Sequence, residues 1–377
     1  MRQCGDEKYF FYRVFFMKIL LISPLPKDNQ NVAGGIAGWT NRFVNSDLVR
    51  MNNSINIVDT SLIGSRAKGE TKYNYYSESV RTLKILFKTI ILILFNKPDI
   101  VHLNSNCSML GLVRDNAISF IVSIARIPVV VHMRCDVAFY SYTRYAYFSL
   151  KKMIGRASMV FSLNNSSSMF IQEKFGKASI YIPLFISDDF FLNTKTRNIS
   201  EKVRRICFVG HISENKGCNI ITNIAKILCD IDFFLVGQKF DSFNDKELSN
   251  NIYLLGNVTA DEVNRILSEA DLFLFPSKTE GFPNAVLEAM ASGLPIVASA
   301  VGAIPDMIGT SQEGGILINS FIPEDYIDAI ITLINDRNRR KEMSKWNIQT
   351  VLDKYTESKI ITMMLEKYSE CIERSYR

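Results

Sequence analysis

The chain has 377 residues, of which 47% are hydrophobic and 22% charged, and its formal net charge at pH 7 is +6. This composition excludes a largely disordered chain, and the length is sufficient for two or three domains. No apolar run reaches the ~20 residues of a membrane span, and the seven cysteines, an odd number without a C-x-x-C pair, argue against a disulfide framework or a zinc ribbon and fit a reducing cytosol.

The charge is unevenly distributed between the two halves. Residues 1–190 contain 23 lysines and arginines against 13 acidic residues, and the remainder contains 21 against 25. The net charge is therefore +10 for the first half and −4 for the second, which predicts a different binding partner for each half. Residues 1–16 show no signal-peptide pattern, and we expect them to be an extension without a structural role, because Met17 opens a buried strand.

In the first half, short β-rich runs alternate with helical stretches. Continuous runs of Ile, Val and Leu indicate parallel strands that are covered on both faces. Helices are expected over Ser79–Phe95 and Met109–Arg126. The predicted strands are Lys18–Ser23, Ile55–Thr60, Ile100–Leu103, Val129–His132, Met159–Leu163 and Ser179–Pro183.

Residues 188–203 are polar and aperiodic, which places a linker over residues 191–203. The strand and helix alternation then restarts, and the chain becomes helical after Ile322. The predicted strands of this half are Arg205–Gly210, Phe233–Gly237, Ile252–Gly256, Leu272–Pro276, Pro295–Ala298 and Gly315–Ile318.

Repeated right-handed βαβ units in both halves predict two doubly wound, Rossmann-like α/β domains that face each other across a cleft. We assign residues 17–190 to the first domain and 204–352 to the second. Residues 353–377 form a C-terminal helix that can pack back on the first domain. Ligands of such folds bind at the carboxyl ends of the strands, so the site is expected in the cleft.

Two carboxylates lie around the start of a predicted helix in the second half. Glu280 follows a predicted strand, and Glu288 lies in the first turns of the helix that opens at Phe282-Pro283-Asn284, with Pro283 suited to the first turn. Free amides there can hold an oxygen-rich ligand, and the two carboxylates can accept hydrogen bonds from the hydroxyls of two sugar rings. A capped helix with solvated glutamates is the alternative.

This stretch resembles the E-x7-E motif of retaining glycosyltransferases of family 4, which have the GT-B fold. The flanking segments Ala270–Ser277 and Ala289–Asp306 are similar to the donor-binding half of that family. The resemblance implies that Glu280 contacts the transferred sugar, that Glu288 contacts the ribose, and that nearby amides hold sugar and phosphate. The implied donor-binding residues of this segment are Glu280, Gly281, Phe282, Pro283, Asn284 and Glu288.

A second motif, Phe208–Gly217, ends a strand and opens a helix. A lysine beside a helix amino terminus is a phosphate site in physical terms, and the resemblance implies that Lys216 neutralises the donor diphosphate. The family usually has an arginine where this chain has His211. A neutral imidazole stabilises leaving-group charge less than a guanidinium does, so His211 is expected either to donate a hydrogen bond to phosphate or to pack.

Gly34 and Gly35 follow the first strand and resemble the family's glycine loop, which lets the backbone approach a phosphate; a simple turn is the alternative. Their spacing is not G-x-G-x-x-G, so a nicotinamide dinucleotide site is not supported. His132 resembles the histidine at the mouth of the family's first domain, where it contacts the donor sugar, unless it is structural. His102 is expected to be a structural, hydrogen-bonded histidine.

The predicted catalytic residues are therefore His132, Lys216 and Glu280. Asp230 and Asp232 form a D-x-D pattern, but they precede a strand on its amino side and are expected at the surface. No His or Cys cluster has metal-ligand spacing. We expect no metal and no cofactor, with the nucleoside-diphosphate sugar as a substrate.

The acceptor is expected on the basic first domain. Arg81, Lys84 and Lys88 are spaced to lie on one helical face, and the segment Tyr140–Arg156 interleaves aromatic residues with arginines and lysines. Such surfaces suit anionic lipid headgroups or a lipid-diphosphate-linked sugar. An ordinary solvated helix face is the alternative.

The sequence thus predicts a cytoplasmic, metal-independent retaining glycosyltransferase, peripheral on the inner face of the plasma membrane, with no nucleic-acid partner. It would move a hexose-type sugar from a nucleoside-diphosphate sugar to a glycan or lipid-linked acceptor in bacterial surface polysaccharide synthesis. Two alternatives stay open. One is a catalytically inactive GT-B protein that binds a nucleotide sugar or a glycan, and the other is a sugar-nucleotide epimerase of the same fold.

Overall fold

The computed structural model describes residues 16–26, 35–62, 75–139, 142–191, 197–240, 243–244 and 248–376. These residues form two six-stranded sheets in which every pair of neighbouring strands is parallel. The predicted fold class, two doubly wound α/β units with helices at the C-terminus, is confirmed. Residues 1–15, Gly34 and part of the predicted linker, 192–196, lie outside the described residues.

The first sheet has the strand order β2-β1-β3-β4-β5-β6. Its predicted strands are found within two residues at each end, except that β6 contains only two residues of the five predicted. The strands are β1 (Met17–Ser23), β2 (Asn53–Asp59), β3 (Ile100–Ser105), β4 (Val129–Met133), β5 (Met159–Ser162) and β6 (Ile180–Tyr181).

The second sheet has the order β12-β11-β10-β7-β8-β9. Every predicted strand of this half is found within one residue at each end. The strands are β7 (Arg205–Val209), β8 (Asp232–Val236), β9 (Ile252–Gly256), β10 (Leu272–Phe275), β11 (Ile296–Ser299) and β12 (Gly315–Ile318).

Helices follow the strands in both halves, and within the described ranges each helix is too short or too polar to span a bilayer. The helices of the first half are α1 (Gly35–Asn45), α2 (Asp47–Arg50), α3 (Tyr75–Asn96), α4 (Met109–Ile124), α5 (Arg144–Arg156) and α6 (Asn165–Phe175). Those of the second half are α7 (Cys218–Ile227), α8 (Ala260–Glu269), α9 (Asn284–Ala291), α10 (Ile304–Ile308), α11 (Pro323–Asn335), α12 (Arg337–Lys354) and α13 (Glu357–Ser375).

The first sheet is covered on both faces, as its continuous apolar runs predict. Alternate residues of β1 belong to different clusters of the core, with Leu20 and Ile22 in one and Ile19 and Leu21 in the other. The last helix, α13, contributes to the second of these clusters. Helix α13 therefore contacts the first half although it follows the second half in the chain.

The strand order decides where a ligand can bind. In the first sheet the order reverses between β1 and β3, and in the second sheet it reverses between β7 and β10. Crevices at the carboxyl ends of strands beside such reversals are the usual ligand sites of doubly wound folds. The loops after β1, β7 and β10 carry most of the predicted donor-binding residues.

One disulfide, Cys107–Cys135, joins the segments that follow β3 and β4. The odd and scattered cysteine count predicts no disulfide framework, and this single pair was not predicted. Neighbouring parallel strands end side by side, so residues 28 apart in sequence meet in space. In the described part of the chain the remaining cysteines, Cys207, Cys218, Cys229 and Cys371, are unpaired.

Candidate active site

A cavity of about 460 Å³ lies at the carboxyl ends of both sheets, beside the order reversals. Its walls come from the ends of β7 and β8, the loop between β10 and α9, and the start of α1. Among its lining residues are the predicted Gly35, His211, Lys216, Glu280, Gly281, Phe282, Pro283, Asn284 and Glu288. Predicted donor residues from distant segments are thus brought together.

Lys216 and Glu280 are in direct contact in this cavity. Lys216 ends a single 3-10 turn after β7, and its Nζ donates to Oε1 of Glu280 at 2.5 Å. The two side chains are 25% and 9% exposed. Two of the predicted catalytic groups therefore form a largely buried ion pair that a ligand phosphate or hydroxyl can approach.

Close backbone packing sets the position of Lys216. Gly217 has φ +74°, and a Cβ there would lie 2.0 Å from the carbonyl oxygen of Pro276. Only glycine fits both the left-handed conformation and this approach. The Lys216 loop can therefore rest directly on the segment that leads to Glu280.

Glu288 lies on the inner side of α9, where the carboxylate faces the cavity. Burial raises the pKa of Glu288 to about 7, and the nearby charge of Arg42 on α1 opposes this rise. Arg42 itself has buried Nε and Nη2 atoms without a hydrogen-bond partner. Near neutral pH the Glu288 carboxyl group can therefore accept a hydrogen bond from a sugar hydroxyl or donate one to it.

Helix α9 begins at Asn284, and Pro283 is its extended N-cap residue, with φ −78° and ψ 114°. The predicted place of Pro283 in the first turn is therefore wrong by one position. Because proline has no N–H, the donors at this helix start are the amides of the residues around it. These donors belong to the cavity wall, since Phe282 and Asn284 line it.

His211 lies on the cavity wall, with its ring edge-on to Phe240 at 5.0 Å between centroids. Partial burial and the Lys216 charge lower the pKa of this imidazole, although Glu280 opposes them. His211 is therefore neutral at pH 7. It can donate one hydrogen bond to a ligand, but it adds no charge to balance a phosphate.

The structure does not place His132 at the mouth of the cleft. Its ring, on β4, is fully buried and packs edge-on against Trp39 and Phe161. Burial and the charge of Arg134 hold the pKa of His132 well below its usual value. The predicted position is wrong because β4 turns this side chain into the sheet's core.

His102 is the structural histidine that the sequence predicts. Its ring is fully buried, with Nδ1 hydrogen-bonded to the Tyr368 hydroxyl of α13 and Nε2 at 3.2 Å from Oδ1 of Asn104. Burial lowers the pKa of His102 to about 3. The hydrogen bond to Tyr368 links β3 to helix α13.

Arg134 is a charged cavity residue that the sequence analysis did not single out. It directly follows β4 and lines the cavity on the side of the first half. Its guanidinium lies 4.5 Å from the centroid of the Trp39 ring, and its Nη1 lies 3.2 Å from Nε2 of His132. Its position at a strand's carboxyl end, beside the switch point, was the signal that could have found it.

Asp232 opens β8 at its amino end, where its amide donates to the carbonyl of Arg204. The D-x-D pattern is therefore at the opposite end of that strand from the cavity. Within the described part of the chain, no three His, Cys, Asp or Glu side chains are grouped to hold a metal ion.

The second half matches a family model. Residues 203–336 match the model described as glycosyl transferases group 1. The chain is 25% identical over 345 residues to the sulfoquinovosyl transferase SQD2 of Arabidopsis thaliana, covering 82% of this chain and 66% of the relative. It is 33% identical over 138 residues to the amylovoran biosynthesis glycosyltransferase AmsK of Erwinia amylovora, covering 32% of this chain and 34% of the relative. The matched region spans less than two thirds of either curated relative.

The fold is also that of solved glycosyltransferase structures. The Anabaena protein HepE, solved in complex with UDP and glucose, superposes with a TM-score of 0.70 at 17% identity, covering 94% of this chain and 99% of that chain. At this identity the likeness concerns the fold. Taken with the match over residues 203–336, it shows that the chain has the GT-B fold and that its second half is similar to the group 1 glycosyl transferases.

Proposed function

We propose that this chain is a retaining glycosyltransferase that moves a hexose-type sugar from a nucleoside-diphosphate sugar to a glycan or lipid-linked acceptor. The observation that carries the proposal is the Lys216–Glu280 ion pair, held at 2.5 Å in a cavity that Glu288 and the start of α9 also line. Cation, carboxylates and helix amides together match the phosphate and the hydroxyls of a nucleotide sugar.

In the proposed reaction the acceptor oxygen forms a bond to the anomeric carbon on the face that the diphosphate leaves. The bond between that carbon and the phosphate oxygen breaks, and the departing phosphate takes the proton of the acceptor hydroxyl. Lys216 stabilises the negative charge that develops on the leaving group, and Glu280 positions the sugar through its hydroxyls. No metal takes part in this scheme.

The donor site is tested by thermal unfolding with UDP, GDP, ADP, TDP and CMP, first with a chelator and then with magnesium. A ligand of the native state raises the melting temperature by mass action, so one responder without metal is expected. No response from any nucleotide would contradict the proposal. Binding without turnover across an acceptor panel favours the inactive binding protein, and donor epimerisation without acceptor favours the epimerase. Retention is checked by the anomeric configuration of the product.

We further propose that the protein works at the inner face of a bacterial plasma membrane, in the synthesis of a surface polysaccharide. Helix α3 supports the membrane contact: on one side it exposes large apolar residues, with Lys84 and Lys88 exposed beside them. The apolar residues of this face are Leu83, Phe87, Ile90, Ile91, Leu94 and Phe95.

On the two predicted cationic surfaces, fewer cationic side chains are exposed in the structure than the sequence predicts. Arg81 is not a solvated charge, because it pairs with Glu78 at 2.6 Å and donates to the carbonyl of Thr60. On α5, Arg156 donates to Asn116 and packs over Phe120, whereas Lys151 and Lys152 are exposed. Tyr140 lies outside the described residues.

Binding to membranes is tested by flotation with vesicles that contain roughly 30% anionic lipid. The double change Lys84→Glu and Lys88→Glu is expected to weaken binding roughly 10-fold or more, at about 1 kcal/mol per cation near a charged surface. The matched control is Lys341→Glu with Lys345→Glu, an exposed pair at the same spacing on α12. Equal binding by both double variants would remove α3 from the proposal.

A further inference from the structure

Arg134 is a buried cation without a counter-charge. Its residue is 9% exposed, and among the described residues no carboxylate lies within ion-pair distance of its guanidinium. Its Nε has no hydrogen-bond partner. Burial and the neighbouring Arg42 lower the pKa of Arg134 to about 9, so it is charged at neutral pH. A buried charge of this kind is costly unless an anion binds to it.

Arg134 belongs to the wall of the cavity in which the donor is proposed to bind. Arg134 lines the cavity beside Gly35 and Ile36, which begin the 11-residue helix α1. The amino terminus of a helix carries positive partial charge, so two positive features of the first half face the cavity together. The ring of Trp39 lies beneath the guanidinium and restricts its motion.

The positive charge on the opposite wall of the cavity does not balance the negative charge of a diphosphate. The described residues that line the cavity include one lysine, Lys216, and one arginine, Arg134. Lys216 is already bound to Glu280, and the neutral His211 stands where the resemblance leads us to expect an arginine. A diphosphate carries about two negative charges or more, which one shared lysine leaves largely unbalanced.

We propose that Arg134 binds the diphosphate of the nucleotide-sugar donor from the first half of the chain and supplies the guanidinium that position 211 lacks. The inference rests on the proposed donor site. A guanidinium can make two parallel hydrogen bonds to phosphate oxygens and stabilise the charge that develops as the sugar leaves. Because Lys216 and Arg134 belong to different halves, both halves then contact the leaving group.

The test compares Arg134→Met and Arg134→Lys with the exposed Arg144→Met of α5 as a matched control. The readout is the dissociation constant, by calorimetry, of the nucleoside diphosphate that stabilises the wild type, and of the same nucleoside without phosphate. Arg134→Met is expected to weaken diphosphate binding roughly 10- to 100-fold, as for a lost hydrogen bond to a charged group. Nucleoside binding and the Arg144→Met protein are expected to stay unchanged.

A second change shows whether the charge itself is what matters. His211→Arg, added to Arg134→Met, is expected to restore part of the lost diphosphate affinity. If Arg134→Met does not fold, Arg134→Lys is the deciding variant, provided that its melting temperature without ligand equals that of the wild type. A loss of roughly 10-fold in diphosphate affinity supports bidentate binding by the guanidinium, and an unchanged affinity overturns the inference that the guanidinium is required.

The failures of the two proposals differ. A wild-type protein that binds no nucleotide contradicts the proposed function. A wild type that binds while Arg134→Met binds the diphosphate equally well overturns the inference alone. If Arg134→Met binds the diphosphate normally but loses affinity only for donors with an anionic sugar, the guanidinium serves the sugar, and the inference is also overturned.

Discussion

The two halves of the molecule build their sides of the cavity in different ways. In the second half the cavity lysine, Lys216, is bound to Glu280, and outside the cavity lining Lys278 is bound to Glu214. In the first half the cavity charge is Arg134, which rests on Trp39 and has no carboxylate partner among the described residues. Lys216 and Glu280 each lie in a segment that resembles a family motif, whereas Arg134 was not part of any motif and is buried by its contact with Trp39.

The largest effect is expected at the paired charges. Lys216→Ala should lower turnover roughly several hundred-fold, the range for a lost electrostatic stabiliser of the transition state. Lys278→Ala is the matched control, because Lys278 holds Glu214 at 3.0 Å in the neighbouring loop and does not line the cavity. The measurement is kcat with a donor identified by the nucleotide panel. Near-normal turnover of Lys216→Ala would refute the assignment.

One glycine from each half separates backbone strain from close packing. Gly176 and Gly217 have similar positive φ angles, +64° and +74°, but a Cβ at Gly176 meets nothing within 4 Å. We expect Gly176→Ala to cost about 1 kcal/mol of unfolding free energy. Gly217→Ala should cost at least about 2 kcal/mol more, because its Cβ would collide with Pro276. Denaturant unfolding of both variants measures the difference, and equal costs would contradict the packing argument.

The pH dependence of stability is expected to report on Glu288, a cavity carboxylate of the second half. Its pKa rises from 4.5 to about 7 on folding, so the folded state keeps a proton that the unfolded state releases. This contribution is absent below about pH 4.5, and it lowers stability as pH rises towards about 7, by up to roughly 3 kcal/mol. Glu288→Gln should abolish that decline in thermal unfolding between pH 5 and 8. The exposed Glu342→Gln should retain it, and identical curves for the two variants would count against the burial of Glu288.

The sequence predicts most of the fold because apolar runs mark the buried strands directly. Strand β6 is the exception: it is an edge strand that pairs only at Phe161 and Ser162 of β5, so its pairing ends before its apolar pattern does. The segment Glu280–Glu288 was assigned to the donor site by its resemblance to a family motif and to the segments that flank it. The structure places these residues on the cavity wall, and their role in donor binding stays a prediction.

Contacts between distant segments escaped prediction. Cys107 and Cys135 meet because β3 and β4 end side by side, and nothing in their spacing indicates this pairing. Arg134 resembles a surface residue in the sequence, and its burial depends on Trp39 of α1. His132 was placed at the cleft by resemblance, but the alternation of side chains along β4 decides its direction.

The contact between α13 and the first sheet bears on the order in which the chain is made. Tyr368 stacks on Phe161 and bonds to His102, and Ser369 reaches Met17 of the first strand. During synthesis the first half emerges long before these residues exist. Part of one apolar face of its sheet therefore stays uncovered until helix α13 has been synthesised and can pack on it.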